Sequence, residues 1–270
     1  MTLVAFGSEK GSPGVTSAVL ACAAVWPGPV VAAECDPAGG DLAYRLRTAA
    51  GAPLGREPSI ISLAAATRAG PVRVADHCQA TAGGVAVLRG ALSPEQAVGL
   101  RPYWAAIAGL LSGVAGATVL ADLGRLHPDN PAMPVVLAAD LVVLVARAGV
   151  EGLAHLRDRA EHLSVALPAA GGAPPVAVVV VAEPRRGQRS VQHAEQVLRA
   201  AGTPVRAVGW LGLDAGGLEV VQAGGRPTRS VLLRTAGAVT AGLVDLLPHH
   251  PAPAGGPRPA YPGRQVQARP

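Results

Sequence analysis

Gly7-Ser8-Glu9-Lys10-Gly11-Ser12-Pro13-Gly14-Val15-Thr16-Ser17 lies between an apolar run at 2–6 and an Ala/Leu-rich stretch at 16–25, which Trp26-Pro27-Gly28 brings to a stop. The run has the length and composition of a buried strand, and the stretch has those of a helix. Glycines between the two let the backbone curl, so that successive N–H groups can face one point. The helix start adds positive potential at the same point. A loop of this kind is suited to receive an anion such as phosphate. Pro13 has no N–H, so its position cannot donate.

Working outward, the same alternation continues. Strand-like runs at 29–33, 85–88, 118–121, 141–146, 176–181 and 205–210 are separated by helix-like stretches at 59–67, 93–115, 131–138, 152–163, 190–200 and 229–247. Ser93, Pro94 and Gln96 provide an N-cap, a first-turn proline and the second arm of a capping box. The strands read as continuous apolar runs, as strands buried on both faces do. The expected fold class is α/β: a doubly wound, mostly parallel sheet with helices on both faces, as one domain over 1–247. Residues 248–270 are rich in Pro, Gly and Arg without apolar periodicity, and are expected to form a disordered tail.

Half of the 270 residues are hydrophobic but only 3% are aromatic, so Ala, Val and Leu must build the core. Cys22, Cys35 and Cys78 show neither CxxC nor metal spacing and are expected to be reduced thiols. The N-terminus lacks the basic start and longer apolar stretch of a secretory leader, and no segment approaches the roughly 20 apolar residues that span a bilayer. The expected location is the cytoplasm, with no transmembrane segment. A net charge of +5 permits nucleic acid, an anionic membrane surface or an acidic partner without choosing among them. Of the 23 basic residues Lys10 alone is lysine. In so arginine-rich a chain, a lone lysine inside a glycine loop suggests that a compact point charge is wanted there.

The ordinary phosphate-loop motif is G-x-x-x-x-G-K-[ST]. Gly14 and Thr16 fit it, whereas Val15 stands where the lysine belongs and Glu9 where the first glycine belongs. The loop resembles the deviant Walker A loop of the MinD/ParA family of P-loop ATPases, K-G-G-x-G-K-[ST]. Lys10, Gly11, Gly14, Thr16 and Ser17 match it. Ser12 replaces a glycine, Pro13 takes the variable position and Val15 replaces the phosphate-contacting lysine. Glu34-Cys35-Asp36-Pro37-Ala38-Gly39 resembles the family's D-x-D-P-x-G segment after the second strand. Asp36 matches the acid that orients the attacking water, and Glu34 replaces the first acid. Alone, Asp36-Pro37 would read as a turn start. Thr118-Val119-Leu120-Ala121-Asp122 resembles a Walker B strand with Asp122 as its acid. Softer likenesses are Ala139-Asp140-Leu141-Val142-Val143-Leu144-Val145, before a partner-facing helix, and 205–214 with Gly224-Gly225-Arg226, near a base pocket. Ala182-Glu183-Pro184 occupies the place where relatives often carry an adenine-reading Asn.

The resemblance, which covers roughly 1–247, implies ATP and Mg²⁺ as cofactors. Lys10, Gly11, Ser12, Pro13, Gly14, Val15, Thr16 and Ser17 would bind the nucleotide, and Thr16, Asp36 and Asp122 would surround the metal. Asp36 and Lys10 would be the catalytic residues, with Lys10 reaching across a homodimer to the partner's phosphates. Loss of the lysine at position 15 removes charge from beside the β- and γ-phosphates, so hydrolysis is expected to be weak or absent. Arg125 is a candidate to compensate.

Divergent TadZ/CpaE-type members, which have atypical loops and position pilus or secretion apparatus, are the nearest in character. The leading expectation is a degenerate nucleotide-binding switch or scaffold that dimerises and recruits a pilus, secretion or division machine. The alternative is an active ATPase for chromosome or plasmid partitioning or septum-site placement. A DNA-binding partition protein has only the net charge and the arginine-rich tail behind it, with no basic stripe on one face. No G-x-G-x-x-G follows the first strand, which argues against a dinucleotide enzyme.

Overall fold

The structure, a computed structural model, describes residues 1–10, 13–171, 174–225 and 230–248. Strand β1 (Thr2–Ser8) leads into helix α1 (Val15–Val25), β2 (Val30–Glu34), the short α2 (Leu42–Arg45), α3 (Ile60–Ala66), β3 (Gln79–Ala80) and β4 (Ala86–Leu88). Helices α4 (Pro94–Gly99) and α5 (Trp104–Ser112) precede β5 (Thr118–Arg125), α6 (Met133–Leu137) and β6 (Leu141–Arg147). Then come α7 (Val150–Ala169), β7 (Val176–Ala182), α8 (Gly187–Ala200), β8 (Arg206–Gly212), α9 (Ala215–Gln222) and α10 (Val231–Leu246).

The strands form one sheet in the order β3-β4-β2-β5-β1-β6-β7-β8. Every neighbouring pair is parallel except β3 with β4. Alternate residues of β1 serve opposite faces. Leu3 and Ala5 join a core with Leu63 of α3, Ile107 of α5, Leu156 of α7 and Leu198 of α8. Val4 and Phe6 join a second core with Val19 and Leu20 of α1 and Leu232 and Val239 of α10. The doubly wound sheet expected from the sequence is the one observed. The chain leaves β1 for β2 and returns to β5 between them, so the sheet reverses its winding beside β1. In such sheets ligands bind in the crevice beyond the carboxyl ends of the strands at that point.

Several boundaries depart from the sequence reading, each for a local reason. The helix expected over 93–115 is broken: α4 ends at Gly99, a 3₁₀ turn covers Arg101–Tyr103, and α5 starts at Trp104. Pro102 cannot donate to the preceding turn, so the backbone tightens there. Ser93 does cap α4, its hydroxyl accepting from the Gln96 N–H at 3.3 Å. The other arm of the box lands one residue early, because Gln96 Oε1 accepts from the Leu92 N–H. The chain also contains α2, β3 and α9, which the apolar pattern did not announce. Helix α9 includes two glycines, and Asp214 starts it by accepting from the Gly217 N–H at 2.8 Å. The same carboxylate accepts from the Ser230 hydroxyl at 2.8 Å, which joins the starts of α9 and α10. All three cysteines are buried and free. No described helix is long and apolar enough to cross a membrane. Gly11, Ser12, Arg226 and the tail from 249 onward lie outside the described residues.

Helix α8 meets β8 at Gly187, where an added Cβ would overlap the indole of Trp210. Gly187→Ala is therefore expected to lower stability by about 1–3 kcal/mol through overpacking. Urea unfolding followed by tryptophan fluorescence measures this, and an unchanged midpoint would show that the helix can shift without cost.

Candidate functional site

Parallel register sets three strand ends level. Phe6 of β1 pairs with Asp122 of β5, and Glu34 of β2 pairs with the same Asp122 from the other side. The Cys35 N–H donates to the Asp122 carbonyl at 2.7 Å, continuing the ladder one residue past β2. Asp36 and Asp122 are thereby brought to one crevice, although 86 positions separate them in the chain (122 − 36).

On the loop side, Gly14 is the N-cap of α1 at φ +98, a left-handed conformation that costs an L side chain energy. Among the N-terminal groups of α1, the Ala18 N–H already donates to the Gly14 carbonyl at 2.9 Å. The N–H groups of the first turn have no partner inside the helix, and they point outward. Thr16, in that turn, stands beside the Asp122 carboxyl and lowers its pKa, and that carboxyl accepts from the Gly124 N–H at 3.0 Å. Gly124 has φ +58, and a Cβ there would overlap the Asp36 carboxylate. Asp36 is held in place by the Ala38 N–H at 2.8 Å. The three residues expected around a metal, Thr16, Asp36 and Asp122, thus meet at one place. Thr16 and Asp36 border a cavity of about 770 Å³ lined also by Gly14, Ser17, Arg45, Arg101 and Arg125, and Asp122 lies buried beside them. A cavity of that size lies in the range of small-molecule sites.

Burial holds both acids above the usual carboxylate range. Burial pushes Asp122 up to about 6, with the Thr16 hydroxyl and Gly124 N–H pulling the other way. Burial also raises Asp36, opposed by the Ala38 N–H and by Arg125. Among the described residues no three His, Cys, Asp or Glu side chains are grouped to hold a metal unaided. Hard oxygen donors in small number suit Mg²⁺, which keeps several waters and shares its shell with phosphate oxygens. The donor set fits Mg²⁺ bound together with a phosphate chain.

Glu34 has a different role from the one its alignment suggests. It is 2% exposed and does not face the cavity. Its Oε1 accepts from the Leu42 N–H and its Oε2 from the Gly90 N–H, both at 2.9 Å. Gly40 and Gly90 press against it so closely that a Cβ at either would collide with the carboxyl. Burial pushes Glu34 up to about 7 against those two N–H groups.

Val15 is 6% exposed and packs with Phe6, Val19 and Leu20 in the core under the loop. The place of the missing lysine is filled by an apolar side chain, and the cations on the cavity wall are arginines. Lys10 is exposed and lies elsewhere, in a small depression with Arg147 and His155 near the end of β6. Within one chain, Lys10 and Asp36 are therefore not brought together. Glu9, a departure from the loop motif, forms an ion pair with buried Arg159 of α7. Sequence reasoning missed that pair, and it missed Arg45 and Arg101. No motif marks these residues, and only the folded chain brings them to the site.

No family model matches the sequence, and no curated protein matches it. Solved structures do match the fold. The fold they share with this chain is that of the P-loop NTPases. More closely, the fold is that of the MinD/ParA ATPases. The cell division ATPase MinD of Pyrococcus furiosus superposes with a TM-score of 0.68 at 18% identity, over 91% of this chain and 99% of that one. The septum site-determining protein MinD of Pyrococcus horikoshii OT3, complexed with Mg-ADP, gives 0.67 at 17% identity, over 91% and 96%. A ParA family ATPase from Chlorobium tepidum TLS gives 0.65 at 15% identity, over 90% and 97%.

The buried acids make stability pH-dependent in a defined direction. Between pH 4.5 and about 7 the folded chain holds a proton on Glu34 that the unfolded chain has released. Stability therefore falls as pH rises through that window and levels off above it. Asp122 adds the same slope between 3.8 and about 6. The loss is expected to be on the order of a few kcal/mol. Glu34→Gln should flatten Glu34's part of the slope and cost about 1–3 kcal/mol at low pH, since one of the two N–H groups loses its acceptor. Urea unfolding of the ligand-free protein across this pH range tests both points. A wild type equally stable at both ends would show that Glu34 is ionised in the fold.

Proposed function

We propose that this chain is a nucleotide-gated switch of MinD/ParA type that binds ATP with Mg²⁺, dimerises and recruits or positions a larger machine. One observation carries the reading: Thr16, Asp36 and Asp122, remote in sequence, converge beneath the outward-pointing N–H groups of α1. The first-turn N–H groups would bind phosphate oxygens. Thr16 and Asp122 would hold the metal shell, and Asp36 would orient a water. Mg²⁺ would neutralise charge between the phosphates.

Val15 cannot supply transition-state charge at the loop, which favours slow turnover or none over the rates of a working ATPase. The finer reading is a TadZ/CpaE-like protein acting in the cytoplasm with a pilus, secretion or division apparatus. Lys10, exposed beside a loop pinned by Glu9 and Arg159, is the residue offered to a second copy. The second reading, an active partitioning or septum-placing ATPase, draws on the intact Asp36. Steady phosphate release that Asp36→Ala abolishes would establish it.

Calorimetry with ATP and Mg²⁺ on the wild type, Thr16→Ala and Lys10→Ala separates these roles. The wild type should bind, Thr16→Ala should bind much more weakly, and Lys10→Ala should lose ATP-dependent dimerisation in light scattering. At 100 times its dissociation constant the ligand should add about 2.7 kcal/mol to stability, visible as a thermal shift. No binding at millimolar ATP would refute the nucleotide reading and direct the search to protein partners.

A further inference from the structure

We infer that Arg45, Arg101 and Arg125 replace the P-loop lysine and form the cradle that holds the phosphate chain of the bound nucleotide. The inference rests on the nucleotide-binding reading above and names the groups that make it workable.

A polyphosphate in this cavity brings several negative charges, and backbone N–H groups alone leave them under-compensated. Position 15 offers nothing, since Val15 belongs to the core. Lys10, the one lysine, lines a different depression. Among the described residues, the side chains with permanent positive charge on the cavity wall are Arg45, Arg101 and Arg125. They arrive from three separate elements. Arg45 ends α2, Arg101 opens the 3₁₀ turn after α4, and Arg125 ends β5. Arg45 is near enough to Asp122, and Arg125 to Asp36, to pull those carboxyls down. Those two therefore stand beside the acid cluster, while Arg101 lines the same cavity.

Among the described residues no acid lies within ion-pair distance of the three guanidinium groups. Nor does any of the three make a side-chain hydrogen bond to a described residue, although Asp36, Asp41 and Asp129 line the same cavity. Arginines elsewhere on the surface do pair, Arg157 with Asp158 and Arg186 with Glu183. Three unpaired guanidinium forks facing one cavity are suited to a planar, multi-oxygen anion. Arginine binds such an anion with two parallel donors, whereas lysine acts as a single point charge. Arg101 lines the cavity together with Ala97, four residues before it. A cradle of this design grips the phosphate tail, so inorganic triphosphate with Mg²⁺ should compete with ATP.

The test is calorimetry on the full chain with Mg-ATP and Mg-triphosphate. The variants are Arg45→Ala, Arg101→Ala, Arg125→Ala, the triple variant, and a charge-matched control, Arg73→Ala/Arg189→Ala/Arg206→Ala, outside the cavity. Each single change should weaken both ligands about tenfold or more, and the triple should abolish binding. The control should stay within about twofold of wild type, which separates the cradle from general charge. Replacing all three by lysine should restore only part of the affinity, since the fork is lost while the charge is kept. If the triple variant binds ATP as the wild type does, the cradle is refuted while the nucleotide reading stands. If the wild type binds neither ligand, both fail.

Discussion

Two backbone N–H groups, from Leu42 and Gly90, converge on the buried carboxyl of Glu34 at the end of β2. That junction fixes the loop leaving β2 against the chain leaving β4. Gly40 and Gly90 make it possible, because any side chain there would displace the carboxyl. Asp36 and α2, with Arg45, both lie within a few residues of it and inherit their positions from it. An acid at this place acts as a rivet rather than a reagent. Its raised pKa follows from the burial that lets it reach both donors.

Charge in the crevice is distributed unlike that of the loop motif it resembles. Asp122 sits deep within β5, at the level where β2 ends, and Asp36 lies just beyond that end. The permanent cations sit on the wall, and the loop itself is sealed into the core by Val15. In the ordinary motif one lysine links loop and ligand directly. Here the loop contributes backbone geometry, Thr16 contributes a hydroxyl, and positive charge comes from segments far away in sequence. Shape and charge, usually combined in one motif, have been divided among several elements.

The parts of the sheet that are buried on both faces were plain in the sequence, because runs such as Leu141-Val142-Val143-Leu144-Val145 allow little else. The order of loop, Asp36 and Asp122 was legible for a related reason: strand ends in such a sheet are where side chains meet. Arg45 and Arg101 were not legible. They lie in a four-residue helix and a three-residue turn, too short for any periodicity to show. The role of Glu34 was not legible, because a motif reports where a residue sits along a strand and not which way it faces at the strand's end. Pro102 was visible in the sequence, yet the apolar pattern on both sides of it outweighed it.

The ion pair between Glu9 and Arg159 has a mechanical meaning. Arg159 is almost wholly enclosed, so separating it from Glu9 would strand a charge in an apolar setting, at a cost of about 3–5 kcal/mol. The loop between β1 and α1 is therefore held at both ends: tied to α7 through Glu9, and set in the core through Val15. Lys10 thus follows directly on a residue tied to α7, and its place along the chain is set by that tie.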